Sequence, residues 1–212
     1  MLTLRRALLA ASAVALPLSA CGGDDAAGGS GGSGGGGAAV ASVAPEQLFD
    51  SDFEKVCDGV GQTAAAAYAP AAGSISPVVV LVQEDGYMFS RSSAVRAGWE
   101  RLWVPENTMA MAELQLVGCA TRTAATRVQE CSDYEVDDQP TDNVVHVNEV
   151  TYSISLREAA TGTEVATTTF TALDDSCPMF VSFDAGQTEL DWYSFDDAAM
   201  QEFLAPYVAP TA

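Results

Sequence analysis

Positive charge is scarce in this 212-residue chain, where nine lysines and arginines stand against 29 aspartates and glutamates for a formal net charge of −20. Phosphate recognition needs the opposite sign, so no nucleic-acid partner is expected. Lys55 is the single lysine, and no Ser-x-x-Lys nucleophile surrounds it. His146 is the single histidine, which excludes HExxH and multi-histidine metal sites and leaves a Ser-His-Asp triad only this one residue to use. It sits in Val144-Val145-His146-Val147, a strand pattern, and reads as a structural strand residue. Gly-x-Ser-x-Gly occurs only within the low-complexity run from Gly28 to Gly35, without the strand and helix a nucleophile elbow needs, and a phosphate-binding glycine loop and any Cys-x-x-Cys pair are missing, so hydrolases of the serine-elbow type and a four-cysteine zinc site are disfavoured. The N-terminal apolar stretch, Ala7 to Leu18, is too short to span a bilayer as a helix.

What that stretch does have is the layout of a leader. Arg5 and Arg6 form a basic start, the apolar run follows, and small residues precede Cys21. Leu18-Ser19-Ala20-Cys21 resembles the lipobox of bacterial lipoproteins at all four positions. The resemblance implies cleavage between Ala20 and Cys21 and diacylation of the Cys21 sulfur, with the lipid bilayer as a partner through that acylated residue. Each buried methylene contributes about 0.8 kcal/mol, so two chains hold where one is marginal.

Three regions are therefore expected: a signal peptide over residues 1–20, an acylated cysteine and linker over 21–44, and a globular domain over 45–212. Residues 22 to 39 of the linker are dominated by Gly, Ala and Ser with Asp24 and Asp25 as the only charges, a composition unable to bury enough surface to fold. From Gly22 to Pro45 it would span about 25 to 30 Å on average and about 80 Å at full stretch. Removal of Arg5 and Arg6 with the leader shifts the formal charge from −20 to −22. The acids are spread along the domain, as in an extracytoplasmic protein kept apart by self-repulsion.

Four further cysteines, Cys57, Cys119, Cys131 and Cys177, suit an oxidising compartment and allow three pairings. Ala112 to Arg122 and Arg127 to Val136 read as two strands around Thr123-Ala124-Ala125-Thr126. A hairpin centred on Ala125 would set Cys119 opposite Cys131, within disulfide reach. The expected pairs are thus Cys119 with Cys131 and Cys57 with Cys177.

Beyond Pro45, Leu48, Phe49, Phe53 and Val56 recur at helical spacing up to Asp58. Val78 to Val82 is a continuous apolar run, the pattern of a strand buried on both faces. Ser93 to Trp103 suggests a helix showing Val95, Trp99 and Trp103 on one side. Tyr152, Ile154 and Leu156 alternate with polar neighbours, Thr161-Gly162 supplies a turn, and Glu164 to Ala172 returns as a threonine-rich strand. Asp196 caps a last helix, Phe195 and Met200 staple its start, and Pro206 ends it. The expected class is α+β: one domain, a largely antiparallel sheet, flanking N- and C-terminal helices and two disulfides.

The stretch from Tyr152 to Val165 resembles the hairpin of envelope lipoproteins whose small α/β domains assist secretion pores or activate cell-wall synthases. That resemblance transfers no functional residue; the lipobox and the four-cysteine domain also resemble uncharacterised bacterial lipoproteins, which implies an envelope setting and no mechanism.

Candidate chemistry is limited to carboxylates and aromatics. Glu84 and Asp85 follow the buried strand, where open sheets place functional groups. Asp133, Glu135, Asp137, Asp138 and Asp142 gather oxygen ligands in one loop, but their spacing fits no EF-hand and a solvated acidic loop accounts for them. Trp192 and Tyr193, in a loop before the last helix, offer a binding surface for sugar or peptide; Trp99 and Trp103 fit the core better. No metal, cofactor or catalytic residue is expected. The reading is a non-enzymatic binding or accessory module of the cell envelope, meeting an envelope protein or a glycan. A carboxylate-dependent glycan hydrolase is the alternative.

Overall fold

Alternation over Val144–Glu158 produces the strand on which the rest of the fold assembles. The computed structural model describes residues 48–84, 86–100, 110–136 and 139–211. Residues 1–47, which hold the expected leader, Cys21 and the expected linker, lie outside these, as do Asp85, Trp103, Asp137 and Asp138. The described residues fall within one compact unit, Val43–Ala212.

The strands are β1 (Val78–Glu84), β2 (Tyr87–Ser90), β3 (Leu116–Cys131), β4 (Glu135–Val136), β5 (Gln139–Pro140), β6 (Val144–Glu158), β7 (Glu164–Ala172) and β8 (Glu189–Tyr193), followed by helix α1 (Asp197–Val208). Three 3-10 segments, Asp50–Val56, Ser92–Ala94 and Ala110–Glu113, lie between or before them. The main sheet runs β2-β1-β3-β6-β7, with β8 also beside β6. β1 with β2, β3 with β6 and β6 with β7 are antiparallel, whereas β1 with β3 and β6 with β8 are parallel. The class is α+β, built on a mixed sheet.

Side chains alternate between two covered faces. Val78, Val80, Val82, Ala120, Tyr152, Ile154 and Leu156 meet Met200, Leu204 and Val208 of α1 on one face. Val79, Leu81, Val117 and Cys119 meet Leu48, Phe53 and Val56 on the other. This explains the unbroken apolar run of β1, which is buried on both sides. Asp196 caps α1 by accepting from the Ala199 N–H at 2.9 Å, and Phe195 and Met200 are both buried, as the staple requires. Pro206 lies inside α1 instead of ending it. Burial of Leu204 and Val208 against the sheet carries the last turn past the proline.

The expected hairpin around Ala125 does not form. Residues Leu116–Cys131 make one 16-residue strand that pairs along its length with β6. Thr123-Ala124-Ala125-Thr126 has no glycine, proline or asparagine to turn the chain, and the long partner strand rewards continuing. Two bulges, at Thr123 and Val128, absorb the mismatch. Cys119 and Cys131 therefore lie about 40 Å apart along a strand rising about 3.3 Å per residue, out of each other's reach. The disulfides are Cys57–Cys119 and Cys131–Cys177, correcting the expected pairs. The first fastens the segment Asp50–Val56 to the sheet; the second fastens the loop between β7 and β8 to the far end of β3.

Two other expectations shorten. The N-terminal helix is a 3-10 segment of seven residues in which Phe53 and Val56 are buried, and Phe49, just before it, is exposed. The helix expected over Ser93 to Trp103 is a single turn, Ser92–Ala94, although Val95 and Trp99 are buried as their spacing suggested. Where the β6–β7 turn meets the chain near Gly61, backbones touch: the Gln62 N–H donates to the Ala159 carbonyl at 2.8 Å. Gly162, at φ 73°, faces the Gly59 backbone with no room for a Cβ.

Candidate functional site

β7 and β8 occupy the same side of β6 but different halves of it. β7 ends with Ala172 opposite Val150, and β8 ends with Tyr193 opposite Asn148, so the two edge strands meet end to end. The C-terminal end of β1, Glu84, reaches the same place. A groove of about 770 Å³ opens there, lined by these strand ends and by the first residues of α1. Crevices at the carboxyl ends of strands are where open sheets place ligands, because backbone groups and side chains leave the ladder there.

The groove carries five carboxylates, Glu84, Asp174, Asp191, Asp196 and Asp197, and one lining base, Arg91. Arg91 grips Asp197 with two hydrogen bonds, at 2.6 Å and 3.3 Å, and its guanidinium lies 4.9 Å from the centre of the Phe195 ring. Asp191 accepts from the buried Asn148 amide at 3.1 Å and sits 3.7 Å from Arg127. Asp196 is the helix cap. The hydroxyl and backbone N–H of Ser176 both donate to Asp174, and hold its carboxyl below the ordinary range. The Glu84 carboxylate makes no side-chain hydrogen bond among the described residues, while its backbone pairs with Tyr87 in the β1–β2 ladder. It lies close enough to buried Tyr152 to reinforce, after desolvation, the upward shift of that phenol, while Arg122 and Arg91 oppose it.

Trp192 and Tyr193 do not share one face of the chain. They belong to β8, not to a loop, and successive strand residues point to opposite faces. Trp192 packs with Leu190, Val181 and Phe183 on Cys131, Val145 and Val147. Tyr193 turns to the other face, where the Arg122 guanidinium lies 3.6 Å from its ring centre. Both residues line the groove, from different sides of the strand.

Comparison with family models, with curated proteins and with solved structures finds no match for this chain, so its reading rests on the site itself.

His146 is buried in β6, where its ring nitrogens stand 3.7 Å from a Glu130 oxygen and 3.4 Å from a Glu189 oxygen. Two carboxylates flank it, an arrangement without a nucleophile. Asp133, Glu135 and Asp142 of the acidic loop are exposed, and no group of three or more metal-ligating side chains forms among the described residues. Sequence reasoning found Glu84 but missed Arg91, Arg122 and Asp197. The one signal for the two arginines is their place within or beside a strand pattern in a chain so poor in bases, and Asp197 carries none.

The two disulfides fit an oxidising, extracytoplasmic setting. No helix among the described residues is long and apolar enough to cross a membrane.

Proposed function

We propose that this chain is a membrane-tethered lipoprotein of the cell envelope, non-enzymatic, whose domain binds a positively charged segment of another envelope component in the groove at the ends of β1, β7 and β8. The observation that carries this reading is the groove's charge, five carboxylates against a single lining base that is already paired. Low-dielectric walls such as Phe195 and Leu190 strengthen attraction for an amine or guanidinium entering between them. A lipid on Cys21 and the Gly/Ser linker would keep the domain within about 80 Å of the bilayer, where such partners are concentrated.

The hydrolase alternative needs two carboxylates at liberty across a scissile bond. Four of the five groove acids already serve as helix cap, turn acceptor or ion-pair partner, which weighs against it. Crosslinking in intact envelopes tests the binding reading. A specific, saturable partner that is weakened by Glu84→Gln and by added salt supports it; turnover of purified wall glycan by the domain overturns it.

A further inference from the structure

The loop between β7 and β8 displays two large apolar side chains to water, Met179 at 84% exposure and Phe180 at 89%. Neither lines the groove. Single exposed apolar residues are ordinary, but here two adjacent ones are held out between anchors. On one side Cys177 is bonded to buried Cys131, and the Tyr134 hydroxyl donates to the Pro178 carbonyl at 3.0 Å. On the other, Val181 and Phe183 pack into the cluster of Val145 and Val147. The chain is thus fixed immediately before and after the pair, so little ordering entropy remains to be lost when the pair is buried by something else.

We propose that Met179 and Phe180 form a protein-docking tip, distinct from the groove, that inserts into an apolar pocket bordered by lysine or arginine on a partner protein. Charge complementarity selects this occupant. Asp175 and Asp184 flank the tip within its own loop, Asp133 adjoins Tyr134, and the chain contains no lysine or arginine after Arg157. An apolar centre inside a polar, charged rim is the usual plan of a binding hot spot, and the charges that flank this pair along its loop are of one sign. The same rim opposes the alternatives: apolar side chains that enter a bilayer surface are accompanied by basic residues, and a second copy of a chain of charge −20 would be repelled.

The test replaces Phe180 with p-benzoylphenylalanine in the full-length chain and irradiates intact envelopes. The expected result is crosslinking to one protein at a segment carrying Lys or Arg beside apolar residues, weaker in high salt. Added wild-type domain should compete for it, and the doubly substituted Met179→Ser, Phe180→Ser domain should compete about tenfold less well or worse. Because both side chains are exposed, the double variant should keep its thermal midpoint. The crosslink should also persist in the Glu84→Gln chain, which separates this surface from the groove. The proposal is overturned by label in lipid or in a second copy, by no product beyond that from the probe at exposed Thr169, by equal competition from the double variant, or by loss of the crosslink on Glu84→Gln.

Discussion

Cys57 is bonded to Cys119 with their Cα atoms 5.5 Å apart, which ties the segment before β1 to the middle of the sheet across 62 residues. The second bond, Cys131–Cys177, closes 46 residues. For loops of these sizes, restriction of the unfolded chain contributes about 4 kcal/mol each. Paired substitution Cys57→Ser, Cys119→Ser should lower the unfolding free energy by about that amount in urea titration. Non-reducing peptide mapping should recover Cys57 with Cys119 and Cys131 with Cys177; peptides joining Cys119 to Cys131 would contradict the fold.

Gly162 combines a left-handed backbone with direct contact on the Gly59 backbone. Alanine there meets both a conformational penalty and a clash that no side-chain rotation relieves. Gly162→Ala should cost about 3 kcal/mol, and Gly73→Ala, also left-handed but in open space, only about 1 kcal/mol. Equal losses at the two sites would show that the backbone contact is not formed.

Burial pushes the phenols of Tyr152, Tyr68 and Tyr134 above the ordinary value of 10. Each therefore holds its proton more tightly in the folded state than in the unfolded one. The stability this represents is complete below pH 10 and is lost as pH rises through and beyond it. Urea midpoints should be level up to about pH 9 and then fall, with a shallower fall in Tyr152→Phe. A midpoint that stays constant or rises above pH 10 would contradict the burial of these groups.

Much of the fold was legible where local pattern and tertiary environment agree. β6 shows its buried face in Tyr152, Ile154 and Leu156, β1 shows two buried faces in its unbroken valines, and Asp196 announces α1. β3 was misread because its second half, Thr123 to Glu130, is exposed and carries no apolar alternation; only pairing with β6 makes it a strand. The disulfides followed that error, since cysteine pairing depends on topology and not on spacing. The groove was legible only at Glu84 and at Trp192 and Tyr193. Arg91, Arg122 and Asp197 come from three distant parts of the chain, and the abutment of β7 and β8 that gathers this site has no local signature.

The most direct test of a lipid-held binding domain is fractionation of the Cys21→Ser chain after removal of its leader. The expected result is transfer from the membrane to the soluble fraction, with the disulfide map and urea midpoint of the domain unchanged. Retention with the membrane at wild-type level would contradict the anchor at Cys21 and, with it, the tethered module proposed here.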